Sequence, residues 1–296
     1  MRFASWLLGI AIAIAALAAV AFFWMTRPGA FMLSELPAHE ADVANGEYMF
    51  WAGGCASCHA TPEQEDKTLL GGGLALETPY GVFRVPNITP DAEHGIGGWS
   101  ALEFVNAMKN GVSPEGQHLY PAFPYGSYHK LQTGDVIDMK AYLDTLQPSD
   151  NAVAGHSLSF PYNFRRGLGL WKWRYLSDEP IEADLPDDPA VRRGQYLVEA
   201  AGLMPTLWLA GAPNPSGRSR IPNITPHEDG ISDWSREDIA YALKSGLTPE
   251  FDSFGGSMAE VVETLSHLTD EDADAIAAYL KAIPARTPSP CGRRTA

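Results

Sequence analysis

The chain has 296 residues, 45% of them hydrophobic and 19% charged, which excludes a disordered tail and a polytopic membrane protein and leaves material for two cores. Acidic residues outnumber Lys and Arg by 36 to 21, and a net charge of −15 provides no basic field for nucleic acid. Three cysteines are too few for a disulfide scaffold, but two lie three positions apart, a spacing that points to cofactor chemistry.

Residues 4–25, ASWLLGIAIAIAALAAVAFFWM, form a charge-free apolar run long enough to cross about 30 Å of hydrocarbon as a helix. Ala19, Val20 and Ala21 offer a small-x-small cleavage site, so a removed signal peptide is the rival reading. Phe22, Phe23 and Trp24 continue the apolar run where a polar cleavage region belongs, which favours an uncleaved anchor over residues 1–30. Arg2 and the α-amino group oppose a single Arg27, which leans toward an exported body.

The chemistry sits at Cys55, Cys58 and His59. This composition would yield Cys-x-x-Cys-His by chance only about 10⁻³ times in the chain. Two thiols so spaced can add to the two vinyl groups of haem while the adjacent imidazole reaches the iron. A thioredoxin-like redox pair needs a βαβ setting, and the surroundings read helical. A zinc knuckle needs a further ligand pair nearby, whereas Cys291 stands alone in the tail.

Downstream, Ser100 with Glu103 makes a capping box, Phe104, Val105 and Met108 keep one helical face, and Gly111 supplies the stop. A last helix begins with Thr133 as N-cap, turns Val136, Met139 and Leu143 inward, and meets Pro148 beyond its end. The pattern then recurs: RVPNITP from Arg84 returns as RIPNITP from Arg220, and Trp99 returns as Trp234. Ser235, Ile239, Gly246, Thr269 and Ile276 repeat the helix signals. The offset is 148 between Asn45 and Arg193 but 136 between Arg84 and Arg220, so the second copy lacks twelve residues between Gly202 and Arg220. Between the copies lies an aromatic, cationic stretch, FRRGLGLWKWRYL, which reads as a packed linker beside the membrane surface or across the junction of the copies.

A helix running into the attachment motif, a closing helix with an AYL core, and the segments TPYGVFRVPNITP, GIGGWS and HLYPAFPYGSY together resemble the class I cytochrome c family. They are most similar to the multi-haem cytochrome c subunits of membrane-associated bacterial dehydrogenases of the alcohol type. The resemblance implies an all-α fold whose first and last helices cross, with Gly46 and Phe50 meeting Met139 and Tyr142, and electron transfer as the function. It implies Arg84 and Trp99 as partners of the haem propionates, and Pro86 and Asn87 as lining of the haem pocket. It also implies a Met within the YPAxPY segment or before the final helix as distal iron ligand. Phe123 and Leu131 hold those positions, and neither can coordinate iron. His129, and after it His118, is the candidate sixth ligand, and a five-coordinate haem is the alternative. Where such relatives carry a second Cys-x-x-Cys-His, this chain runs LMPTLWLAGAPNPSG, and Met258 matches the distal ligand of that lost haem.

The expectation is therefore an N-terminal transmembrane helix followed by two tandem cytochrome c-like domains. One covalent haem c belongs to residues 31–148, with His59 as proximal ligand. Residues 149–189 form a linker, 190–285 a haem-free copy and 286–296 a tail. The expected role is that of a carrier rather than an enzyme. It would be held in the inner membrane by one pass with its body in the periplasm, between a periplasmic dehydrogenase subunit and a respiratory acceptor. A peroxidase or gas sensor with an open iron site, and a non-redox scaffold, are the alternatives.

Overall fold

A computed structural model describes residues 2–182, 184–201, 209–213, 220–254 and 258–287. Most of the shortened segment after Gly202, together with Cys291, lies outside the described residues. The chain opens with helix α1 (Arg2–Met25), in which Ser5–Met25 is long and apolar enough to cross a membrane, a test that a signal sequence also passes. Then follow α2 (Val43–Ala52), α3 (Cys55–His59), the hairpin β1 (Ala75–Thr78) and β2 (Gly81–Arg84), α4 (Ala101–Asn110), α5 (Tyr125–Tyr128) and α6 (Thr133–Leu143). Strand β3 (Ser157–Leu158) and α7 (Leu168–Tyr175) precede α8 (Pro189–Ala201), strands β4 (Ala212–Pro213) and β5 (Arg220–Ile221), α9 (Arg236–Ser245), α10 (Met258–Leu265) and α11 (Asp270–Ala282).

Most ordered elements are helices, and the capping chemistry explains their bounds. Ser100 and Glu103 close a reciprocal box on α4, Ser235 and Asp238 do so on α9, and Gly111 and Gly246 end both helices in the left-handed region. Each such cap is worth about 1 kcal/mol. Thr269 caps α11 by accepting from the Asp272 N–H. Thr133 differs by one position: it is the first residue of α6, and Gln132 takes the cap, its N–H donating to Tyr196 Oη at 3.1 Å. The all-helical expectation also omits two small antiparallel sheets. In the larger, Thr78 Oγ1 donates to Gly81 O at 2.7 Å and closes the β1–β2 turn, and β3 adds to the free edge of β2.

Two buried clusters carry the helices. One gathers Met49, Phe50, Val105, Leu131, Val136, Met139 and Leu143; the other gathers Val191, Leu197, Ile239, Ile276, Tyr279 and Leu280. Each is built around one close crossing. A Cβ on Gly46 would lie 2.0 Å from Asp138 O, and a Cβ on Gly194 would lie 2.0 Å from Ala275 O, so α2 meets α6 and α8 meets α11 at backbone distance. The Phe50 and Tyr142 rings meet across the first crossing at 5.3 Å and Tyr142 Cβ would lie 3.0 Å from a Cβ on Gly46, as the resemblance implies, and Met139 shares their cluster.

Between the clusters the contacts are reciprocal. Tyr48 Oη donates to Asp272, which also accepts two bonds from Arg193, and Tyr196 Oη donates to Asp135. Tyr48 and Tyr196 pack on both clusters, Ala52 packs on the second, and Ala200 belongs to the first. The Trp51 and His267 rings stack at 3.8 Å.

Candidate haem-binding site

Helix α2 delivers the Cys-x-x-Cys-His motif. Asp42 fixes its start by accepting from the Ala44 and Asn45 N–H groups, and Gly53 ends it by donating to Met49 O at 2.8 Å. Gly54 then turns left-handed at φ 68°, a conformation that favours glycine, and α3 restarts with Cys55. Cys55, Cys58 and His59 thus share one helical turn, with spacings of three and four that place them on one side. Cys55 is half-buried and Cys58 exposed.

His59 is held by its inner nitrogen. Its Nδ1 lies 2.9 Å from Pro86 O, and a carbonyl only accepts, so Nδ1 carries the proton and Nε2 keeps its lone pair. Desolvation pushes the imidazole pKa down to about 4, against the upward pull of the Pro86 bond, so the ring is neutral at physiological pH, as a metal ligand must be. The loop after α3 clamps this pair. Thr61 N–H donates to Leu69 O, Gly72 N–H to His59 O and Ile88 N–H to Leu70 O. Gly72 sits at φ +64°, and a Cβ there would lie 2.5 Å from the Pro86 carbonyl, so no other residue fits against the support of His59.

Burial, then the neighbouring Cys58, push the Cys55 thiol up to about 12, opposite to the lowered pKa of a redox-active pair. Among the described residues no three His, Cys, Asp or Glu side chains form a metal cage. Tyr128 Oη donates to Gly53 O at 2.8 Å, and burial followed by the two cysteines raises its phenol well above the ordinary range. A Cβ on Gly53 would sit 3.7 Å from Met139 Cε and 3.8 Å from Cys55 Sγ, so the core closes directly behind the cysteines. Two thiols on one turn and a neutral imidazole with an unused Nε2 fit a haem bound through two thioethers and one nitrogen.

The remaining sequence-predicted residues are placed less simply. Arg84 Nη1 donates to Gly155 O at 2.9 Å and its N–H to His156 Nδ1, which directs it to the 149–189 segment. Pro86 supplies the carbonyl that holds His59. Asn87 is buried and its amide is committed. Oδ1 accepts from the Thr89 N–H and hydroxyl, and Nδ2 donates to Ser149 O and Asn151 O, so Asn87 ties the turn together. Trp99 packs half-buried on the first cluster, and Phe123 places its ring 5.5 Å from that of Tyr128.

His129, the candidate sixth ligand, is bonded elsewhere in this conformation. Its Nδ1 lies 2.6 Å from Lys109 O and its Nε2 2.9 Å from Asp178 Oδ1, so neither nitrogen is available to iron in this conformation. His118 is buried with Nε2 2.8 Å from Thr26 O, and Met108 and Met139 are core residues. Met258 opens α10, half-buried. Sequence reasoning missed Gly72 and Tyr128; the Gly71-Gly72-Gly73 run was the signal for the first, and nothing local marks the second.

Residues 43–147 match the Cytochrome c family. Over 93% of its length the chain is 47% identical to a protein of Cereibacter sphaeroides called diheme cytochrome c-type, and the match covers 97% of that protein. The chain belongs to the cytochrome c family. Membership brings covalently attached haem c. This cytochrome is also 35% identical to the fructose dehydrogenase cytochrome subunit of Gluconobacter japonicus over 85% of its chain. It is 31% identical to the cytochrome c subunit of alcohol dehydrogenase (quinone) of Gluconobacter oxydans over 84%. It spans only 54% and 56% of those two proteins. The Cereibacter sphaeroides relative is named for two haems, whereas this cytochrome has one Cys-x-x-Cys-His.

Proposed function

We propose that this cytochrome carries single electrons through one haem c attached at Cys55 and Cys58, with His59 as its proximal ligand. Bound there, the haem supplies an iron that alternates between ferric and ferrous. The protein's part is to fix the imidazole through Pro86, exclude water behind the cysteines with Met139 and Tyr128, and hold the turn with Gly72. The observation that carries the reading is the Pro86 bond to Nδ1, which leaves Nε2 as the donor beside two thiols. Residues 31–148 form the haem domain, 149–189 the connection, and 190–285 a haem-free copy in which Met258 is packing. The segment α1 anchors the body on the periplasmic side of the inner membrane. The relatives that are dehydrogenase cytochrome subunits support a periplasmic dehydrogenase as electron donor and a respiratory component as acceptor. A pyridine haemochrome assay on purified protein is expected to give one haem per chain, and two per chain would overturn the reading.

A second reading concerns the distal side. With Phe123 in the YPAxPY segment and both His129 nitrogens bonded elsewhere, an open sixth position is favoured. The reduced protein is then expected to bind carbon monoxide stoichiometrically, read as a shift of the Soret band. An unchanged spectrum under saturating carbon monoxide would establish a strong protein ligand instead.

A further inference from the structure

The end of α1 is built into the body. Thr26, one residue beyond the helix, is fully buried, and its N–H, hydroxyl and carbonyl are all engaged, the N–H by donating to Phe22 O at 2.9 Å. Its Oγ1 donates to Phe22 O and accepts from Arg166 Nε at 2.9 Å, and its carbonyl lies 2.8 Å from His118 Nε2. Arg166 Nη2 reaches Phe23 O at 2.6 Å, the Phe22 and Phe164 rings stack at 6.2 Å, and a Cβ on Gly169 would lie 2.6 Å from Thr26 Cα. Such a junction fixes where α7 and the turn before it sit relative to the apolar helix.

That position has consequences for depth. A helix of 24 residues is about 36 Å long, slightly more than the roughly 30 Å of hydrocarbon it would cross, so Trp24 to Arg27 emerge in the headgroup layer. Whatever touches Phe22 to Thr26 lies at the same level. Along the turn and helix joined to it the chain exposes Phe160 (83%), Trp173 (71%), Tyr175, Phe164 and Tyr162, with Arg174 over the Tyr175 ring. Trp173, Tyr175 and Tyr162, rings with one apolar and one polar edge, suit this layer, Phe160 and Phe164 add apolar surface, and arginine next to them meets phosphate. Charge agrees: in a chain of net charge −15, residues 151–177 contain no Asp or Glu, and while Arg166 is held by Phe23 and Thr26 and Lys172 by Asn110 O and Gly111 O, Arg174 is exposed.

We propose that the Phe160–Phe164 turn and the exposed side of α7 are a second membrane-contact site, seated in the phospholipid headgroup layer beside the exit of α1. This rests on the reading of α1 as a retained membrane anchor. Its effect is to fix the orientation of the haem domain to the bilayer instead of leaving it on a tether.

The test uses the full haem-loaded chain in phosphatidylcholine–phosphatidylglycerol nanodiscs, with Cys291→Ser and single spin labels introduced by Phe160→Cys, Trp173→Cys, Ala13→Cys or Tyr241→Cys. Oxygen and nickel-chelate accessibilities are read by power saturation. Labels at 160 and 173 are expected to show nickel accessibility roughly threefold below that at 241, approaching but not reaching the label at 13. Equal nickel accessibility at 160, 173 and 241, with the label at 13 protected, would overturn the contact site while leaving the anchor intact and would point to a protein partner for this face. An exposed label at 13 would overturn the anchor itself and the contact site with it.

Discussion

Replacing Cys55 and Cys58 together with alanine is expected to abolish covalent haem: staining on a denaturing gel falls below about a tenth of the natural protein, and acidified acetone extracts whatever colour remains. The physical reason is that His59 alone supplies one bond to iron, and one bond does not survive denaturation. Cys58→Ala alone leaves the half-buried Cys55 on the same turn and is expected to keep a single thioether, recognisable by a shifted α band in the pyridine haemochrome. His59→Ala separates attachment from ligation, because both thiols remain while the nitrogen held by Pro86 is gone. Undiminished haem staining in the double cysteine variant would mean that attachment occurs elsewhere, and the assignment of the site would be lost.

Gly46→Ala is expected to be among the most damaging single-atom additions in the body. Its Cβ would enter at 2.0 Å from Asp138 O and 2.5 Å from Asp138 C, backbone atoms of α6 that no rotamer change can move. Overpacking of this kind costs about 1–3 kcal/mol or more, which at the size of this chain lowers the melting temperature by roughly 2–4 °C for each kcal/mol. The sign is diagnostic, since removing a glycine from an unobstructed helix would stabilise by about 0.5–1 kcal/mol. Gly155→Ala, where a Cβ meets nothing within 4 Å, is the control. Because α2 runs directly into Cys55, Gly46→Ala is also expected to lower haem incorporation. Gly194→Ala, its counterpart against Ala275 O, is expected to lower stability while sparing haem. A Gly46→Ala protein that melts with or above the natural one would show that the crossing of α2 and α6 is not close-packed.

What could be read from the chain alone was local. The Cys55–His59 motif, the Ser100 and Ser235 boxes, the Gly111 stop and the Thr269 cap each depend on residues within a few positions of one another, and the structure shows them as helix ends and one helical turn. Contacts between distant segments were not legible. Arg84 is recruited by Gly155, Asn87 by Ser149 and Asn151, and His129 by Asp178, partners that belong to a stretch whose sequence pattern gives no register. The short hairpin was missed because four-residue strands carry too little alternation to register against the helical periods around them. The one-residue error at Thr133 has the same origin, since Tyr196, which holds the Gln132 N–H, comes from the other half of the chain.

The paired bonds from Tyr48 to Asp272 and from Tyr196 to Asp135 have the form of an isologous contact, as though two copies of one ancestor had met about a twofold axis before being joined. In such an arrangement neither half is self-sufficient: each lends the other a phenol and a carboxylate, and Ala200 completes a core that is not its own. On the proposed reading, in which the second half holds no haem, that half is still not dispensable baggage. Deleting it would uncover the flank of the helix that presents the Cys55–His59 turn, which gives selection a reason to preserve the partner whether or not it carries redox chemistry of its own.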